Sequence, residues 1–306
     1  MKKNVIFVTG HEFGVRALEG IFASSPYLER KLEVSLAIGL DARHSEDTVG
    51  YQSVRSVADA NGTRHVDTSD GTLSSMREVI ESAAPDYLVV VGWSRLVDPS
   101  ILRLPAGATQ NRGHARGNFG SVGMHPTSLP LGRGQAPIPW TIIKGVQRTA
   151  LTVFFLAPTA DSGPVIAQYP LEVRRDETAA SLFYRFKHLH FQAGMDLAHH
   201  LISPTVVAHP QDDSISTVWP KRRPRDGLLR HDMTRSELVR TVRALLGPYP
   251  RAYIERDGEV VPIRQAFVPP ASRSESACDF PDTFPFECID GTVLLEPESN
   301  QATRGT

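Results

Sequence analysis

The chain has 306 residues, with 33 Lys and Arg against 34 Asp and Glu, which leaves a formal charge of −1. That balance excludes a general cationic coat for nucleic acid, and 41% hydrophobic with 22% charged residues excludes a disordered chain. Two cysteines exclude a disulfide framework, and no apolar run approaches the ~20 residues that span a bilayer. Residues 5–8 predict a short buried strand, too short for a signal peptide, so no membrane and a cytoplasmic location are expected. Residues 10–14 then form a turn and 15–22 carry helical apolar spacing. A second strand is predicted over 32–40, with helices over 51–60 and 73–83. Pro85-Asp86 stops the chain before Tyr87-Leu88-Val89-Val90-Val91, a Val-rich run that reads as a buried parallel strand.

Strand–helix alternation around such runs predicts an α/β fold with a doubly wound, mostly parallel sheet. Ligands in these sheets sit beyond the carboxyl ends of the strands, here after Val8 and after Val91. Gly10-His11-Glu12-Phe13-Gly14 is not G-x-G-x-x-G and fails as a dinucleotide fingerprint. Residues 105–123, rich in Gly, Arg and Asn, read as a surface loop. A helix follows over 138–144, then strands over 149–157 and 165–173. Asp176-Glu177-Thr178 opens a long helix that Ser203-Pro204 ends, with Leu182, Phe186, Leu189, Leu197 and Leu201 on its apolar face. Further on, Thr234 to Glu237 spell a capping segment for a helix over 236–246. Short strands over 252–256, 260–267, 284–289 and 292–295 carry turn signals at Asp257-Gly258 and Asp290-Gly291. The expected division is a first domain over 1–204, a linker over 205–226 and a small β-rich C-terminal module over 227–306.

The densest chemistry lies in residues 123–140, where Pro and Gly leave no room for regular structure over 126–137. A loop this long inside a folded domain is usually functional. His125 stands where a strand gives way to it, and Asp161-Ser162-Gly163 turns between two later strands. An imidazole suits proton transfer from an amine, and a carboxylate beside it orients the ring or stabilises its cation. Taken singly, such a His is a packing residue and such an Asp-Ser-Gly a turn; the ligand edge raises the weight of the catalytic reading.

Residues 123–140 resemble the signature of the 10-formyltetrahydrofolate-dependent formyltransferases, Asn-x-His-Pro-Ser-Leu-Leu-Pro, Arg-Gly, then Ala-Pro-Ile-x-Trp. The chain reads His125-Pro126-Thr127-Ser128-Leu129-Pro130, Arg133-Gly134 and Ala136-Pro137-Ile138-Pro139-Trp140. Asp161-Ser162-Gly163-Pro164-Val165-Ile166 followed by Gln168 is similar to the family's Asp loop. The likeness runs over about residues 3–295. It implies a Rossmann-like fold and N-formyl transfer from 10-formyltetrahydrofolate to an amine, with His125 and Asp161 catalytic and no metal. It also implies a pterin held by Val91, Gly92, Trp93, Ser94, Arg95 and Leu96 with Ala160, Ser162 and Gly163; for Trp93, core packing is an equal reading. The family Asn two residues before the His is Gly123 here. A backbone N–H is left to donate in its place, or Asn111 or Asn118 folding back.

The acceptor expected is a small amine, an amino sugar joined to a nucleotide. Arg112, Arg116, Lys221, Arg222, Arg223 and Arg225 are candidate phosphate contacts, with a solvated face as the alternative, and Arg133 is a further candidate substrate contact. Glu12 is a candidate sugar or amine contact, or a helix-start carboxylate. Alternatives are methionyl-tRNA as acceptor, a hydroxylamine in siderophore assembly, and a folate- or nucleotide-binding homologue without turnover. Assembly into a homo-oligomer is allowed. His188, His190, His199 and His200 crowd one helix without H-E-x-x-H or a nearby Cys pair, so zinc is not expected. Cys278 and Cys288 read as packing thiols.

Overall fold

A computed structural model describes residues 2–107, 120–269 and 282–298. Asn111, Arg112, Arg116, Asn118 and Cys278 lie outside the described residues. The chain divides into two compact units, each assembled from separate stretches. The first takes residues 1–137, 148–172 and 184–220; the second takes 138–147, 173–183 and 221–306.

The first unit is built on a seven-stranded sheet in the order β3-β2-β1-β4-β5-β7-β8. Its strands are β1 (Lys3–Val8), β2 (Leu32–Leu40), β3 (Arg64–Thr68), β4 (Tyr87–Val91), β5 (Ser121–His125), β7 (Arg148–Phe155) and β8 (Val165–Glu172). The first five are parallel; β7 and β8 add an antiparallel edge. This is the Rossmann-like arrangement expected, with helices in the crossovers: α1 (Glu12–Ala23), α2 (Ser25–Leu28), α3 (Arg55–Ala60), α4 (Arg77–Ala83) and α5 (Pro99–Leu102). All five residues of β4 are buried, as a strand covered on both faces requires. On one face Leu88 and Val90 pack with Ile6, Val8, Ile38, Ile80 and Ile101. Each such side chain contributes roughly 1.5–3 kcal/mol.

Several local expectations are corrected. Residues 121–123 belong not to a loop but to the fully buried β5, paired with β4 from Leu88↔Ser121 to Val91↔Met124. Its Ser and Gly content hides a strand whose stability comes from two paired neighbours. The edge strand β3 (Arg-His-Val-Asp-Thr) was hidden by its polar residues. Helix α3 starts only at Arg55, because Tyr51 bridges to His11 and Gly50 O accepts the Glu12 N–H at 2.9 Å. Residues 126–137 do hold some regular structure: β6 (Arg133–Gly134) pairs in parallel with β9 (Val218–Trp219).

The second unit includes α6 (Pro137–Ile143, from Ile138 on), the first turn of α7 (Ala179–Ile202), α8 (Arg235–Ala244) and an antiparallel sheet in the order β10-β11-β13-β12. Its strands are β10 (Tyr253–Arg256), β11 (Glu259–Phe267), β12 (Phe284–Cys288) and β13 (Gly291–Pro297). Thr234 and Glu237 form the expected capping box of α8. Leu238 and Val242 of α8 pack on Ile254, Ile263, Phe286, Val293 and Leu295. Asp257 and Gly258 both have positive φ (54° and 80°), the type I′ geometry their sequence predicts. In the other hairpin Cys288 pairs with Gly291, so the turn residues are Ile289-Asp290, one position before the Asp290-Gly291 expected.

Candidate active site

His125 ends β5 and its side chain is buried. Its Nε2 lies 2.8 Å from the Gly132 carbonyl oxygen. A carbonyl only accepts, so Nε2 must carry a proton, and the neutral ring then has a bare lone pair on Nδ1. That Nδ1 faces Asp161 Oδ2 at 3.7 Å. The ring is therefore presented in one tautomer, its basic nitrogen next to a carboxylate. A proton taken up there creates an N–H beside a negative charge.

Asp161 comes from a loop that begins beside the opposite end of β5. Strand β7 runs antiparallel to β5 and ends with Phe155 opposite Val122. His125 lies three residues further along β5. The loop over 156–164 folds back along β5 to bring Asp161 to the imidazole. Three contacts fix it there. Asp161 Oδ2 accepts the Gly134 N–H at 2.8 Å; Gln211 Nε2 donates to the Asp161 and Gly163 carbonyls at 2.8 and 2.7 Å. Asp161 itself adopts φ 53°, a left-handed conformation costing of order 1 kcal/mol that the contacts offset. At Gly134, with φ 102°, a Cβ would meet the Trp219 carbonyl oxygen at 2.4 Å, so glycine lets the Asp161-binding N–H reach its place.

The 126–132 loop is pinned from below. Thr152 Oγ1 donates to the Thr127 carbonyl at 2.6 Å, and Gln168 Nε2 donates to the Leu129 carbonyl at 2.8 Å. Gly132 N–H, whose carbonyl fixes the His125 tautomer, donates to Thr217 Oγ1 at 2.8 Å. Sequence reasoning noted Gln168 but missed Thr152, Gln211, Thr217 and Trp219. Three of these lie in the segment read as a linker, where only the polar Gln-Asp-Asp and buried Trp offered any signal.

Among the pterin candidates, Val91 is buried and Gly92 follows with φ 65°. Because Val91 pairs with Met124, Gly92 runs level with His125. Trp93 is half-buried and packs on the β-sheet core. Ser94, Arg95 and Leu96 are exposed, and Arg95 Nη1 donates to the Gly71 carbonyl at 3.1 Å. Ala160 is exposed, while Gly163 is buried at the base of the Asp161 loop.

Two acceptor candidates are already paired within the first unit. Arg133 is buried, and its guanidinium is bound at 3.1 and 2.8 Å by Gln211 Oε1 and at 2.7 Å by Asp213. It braces the Asp161 loop through Gln211 and presents no free fork to a phosphate. Glu12 pairs with Lys187 in the first turn of α1, the helix-start reading. That helix terminus is closed to phosphate, since His11 Nδ1 and the Gly50 carbonyl take its first N–H groups. Arg223 belongs to the second unit, where its N–H donates to Asp226 Oδ2 at 2.6 Å; Arg222 there stacks 5.1 Å over Trp140.

The remaining histidines are structural. Packing around His11, and secondarily the Lys187 charge, push its imidazole down to about 4. Burial pushes His190 down to about 3; it donates from Nδ1 to the Phe186 carbonyl and stacks on Phe13 at 4.4 Å. No group of three or more His, Cys, Asp or Glu placed to hold a metal exists among the described residues, and none of their helices is long and apolar enough to cross a membrane.

Comparison with known proteins places these features in context. The methionyl-tRNA formyltransferase of Syntrophus aciditrophicus is 28% identical over 186 residues, covering 61% of this chain and 55% of that protein. The chain thus spans about half the length of the curated relatives it matches. An N-formyltransferase from Helicobacter canadensis, solved in complex with folinic acid and dTDP-3-aminofucose, shares the fold with TM-score 0.67 at 16% identity, covering 97% of this chain and all of that one. The methionyl-tRNA formyltransferase of Clostridium thermocellum shares it with TM-score 0.59 at 18% identity, covering 97% and 98%. Residues 48–196, which hold both His125 and Asp161, match the family described as formyl transferase.

Proposed function

We propose that this protein moves a formyl group from 10-formyltetrahydrofolate to the amine of a nucleotide-linked amino sugar. The observation that carries the reading is the His125–Asp161 pair, 3.7 Å apart, with the tautomer set by Gly132. The acceptor amine attacks the formyl carbon, and a C–N bond forms. His125 Nδ1 takes the proton the amine loses, and Asp161 faces the cation produced. The new Nδ1–H steadies the tetrahedral oxygen, then passes its proton to the folate nitrogen as the old C–N bond breaks. The imidazole returns unchanged and no covalent enzyme intermediate forms. Proton transfer of this kind contributes about 10²- to 10⁴-fold, and one oxyanion donor about 10²- to 10³-fold.

The exposed backbone after Val91, level with His125, suits a pterin held by Val91 to Leu96 on one side and Ala160 to Gly163 on the other. The donor is a soluble intracellular metabolite, so the reaction is assigned to the cytoplasm. With Arg133 spent internally, the acceptor's phosphates are left to the other basic candidates named from the sequence. Support for a sugar acceptor comes from the near-zero charge of the chain and from the ligands of the Helicobacter canadensis neighbour. The curated relatives favour a second reading, methionyl-tRNA as acceptor.

The test is product mass. The protein is incubated with 10-formyltetrahydrofolate and either a panel of aminodeoxy sugar nucleotides, including dTDP-3-aminofucose, or charged methionyl initiator tRNA. A sugar nucleotide heavier by one formyl group, and not so with His125→Ala, is expected. Formylated methionyl-tRNA alone would move the assignment to the second reading, and binding without product in both arms would contradict the enzyme.

A further inference from the structure

Neutral His125 has one ring proton and two neighbours that compete to place it. Asp161 Oδ2, 3.7 Å from Nδ1, favours an N–H on that nitrogen. The Gly132 carbonyl oxygen, 2.8 Å from Nε2, favours an N–H on the other. Nδ1 is a base only while the carbonyl prevails, so whatever holds that carbonyl belongs to the site. Its owner is glycine at φ 73°, the residue type with the freest backbone. Two peptide planes meet at Gly132, and Thr217, 85 residues further on, holds both. The plane before Gly132 gives its N–H to Thr217 Oγ1 at 2.8 Å. The plane after it, which carries the carbonyl, gives the Arg133 N–H to the Thr217 carbonyl at 2.9 Å. Thr217 N–H in turn donates to the Pro130 carbonyl at 3.2 Å. One residue thus puts its N–H, its hydroxyl oxygen and its carbonyl on three residues of a single loop. The Gly132–Arg133 peptide is strung between His125 Nε2–H and the Thr217 carbonyl, and hydrogen bonds chained in this sense polarise one another.

We propose that Thr217 is a positioning residue that selects the His125 tautomer: its hydroxyl fixes the peptide before Gly132, and so the direction of the carbonyl that keeps the ring proton on Nε2. Without that hydroxyl the first plane is free to turn and Gly132 leaves its left-handed conformation. The carbonyl then swings off Nε2, and Asp161 draws the proton to Nδ1. Thr217 is exposed, so a water can take the Gly132 N–H in its place. Such a water satisfies the N–H without orienting it. The kinetic consequence rests on the formyl-transfer reading; the tautomer does not.

The test compares Thr217→Val, which keeps the size and removes the acceptor, with Thr217→Ser, which keeps the acceptor. Nitrogen NMR of labelled histidine should find the His125 proton on Nε2 in wild type and in Thr217→Ser. In Thr217→Val it should sit on Nδ1 in about nine rings of ten, with kcat about tenfold lower and KM for donor and acceptor unchanged. Rates are read with the acceptor formylated in the panel above. His190, donating from Nδ1 to the Phe186 carbonyl, reports in the same spectra that each variant is folded. Adding Asp161→Asn to Thr217→Val removes the competing charge and should return the proton to Nε2, which a general loosening of the loop would not do. A second measurement needs no substitution: in wild type the Gly132 and Arg133 amides should exchange at least about 100-fold more slowly than in an open chain. A Thr217→Val ring still protonated on Nε2, an equal loss of kcat in Thr217→Ser, a double variant that keeps its proton on Nδ1, or open-chain exchange at either amide would overturn the proposal. A wild-type protein that formylates nothing, yet whose His125 proton follows residue 217 in this way, would overturn the reaction and leave the positioning role standing.

Discussion

Two strand ends in this molecule look alike in sequence and differ in chemistry. Gly10-His11 follows β1, and Gly123-Met124-His125 closes β5; each sets a histidine at the carboxyl edge of the sheet. At the first, His11 Nδ1 accepts the Phe13 N–H at 3.0 Å and serves as the N-cap of α1. Its basic nitrogen is consumed by the backbone. At the second, the backbone accepts a proton from Nε2 and leaves Nδ1 bare next to Asp161. The lesson is that what the other nitrogen does decides the role. A carbonyl partner frees a base, whereas an N–H partner uses it up.

The comparison breaks most severely at His125. His125→Ala should lower kcat for formyl transfer by about 10²- to 10⁴-fold, read by product mass over time. Asp161→Asn should follow at about 100-fold; Asn still accepts the Gly134 N–H, so a retained Tm would assign the loss to charge rather than to loop placement. Gln211→Ala cuts the links from Arg133 to the Asp161 loop and should cost about 2 kcal/mol in denaturant unfolding together with a roughly tenfold loss of kcat. His11→Ala removes the cap and the ring packed on Phe13 and should cost about 1–2 kcal/mol of stability without touching kcat.

A last effect vanishes at neutral pH. His11 and His190 are held at about 4 and about 3 in the folded chain against 6.5 unfolded. Between those values the unfolded state binds more protons, so stability falls as pH drops below 6.5 and levels off only near the folded values. The slope should reach about 1.4 kcal/mol per pH unit for each ring. His190→Gln should flatten it in unfolding curves recorded from pH 7 to 4; an unchanged slope would mean that ring is not desolvated.

Much of this was legible in the chain. Val-rich β4 and nine-residue β2 announce themselves because a buried strand tolerates little else, and Thr234 with Glu237 writes a cap in plain residues. His125 and Asp161 were found through motif and position. The path between them was not legible, because the direction of β7 relative to β5 is set by pairing that no local pattern encodes. For the same reason the sequence does not show that Arg133, a candidate substrate contact, is a brace: its partners Gln211 and Asp213 lie 78 and 80 residues away. Glu12 likewise pairs with Lys187, 175 residues distant. Local chemistry names the groups that react; distant pairings decide which groups are already spent.

The account turns on which nitrogen of His125 is free. Nitrogen NMR of the protein with labelled histidine, recorded on the basic side of the His125 titration, reads this directly. A proton on Nε2 and an unprotonated Nδ1 are predicted, with His190 protonated on Nδ1 as an internal contrast. A His125 ring carrying its proton on Nδ1 would contradict the assignment of that nitrogen as the base.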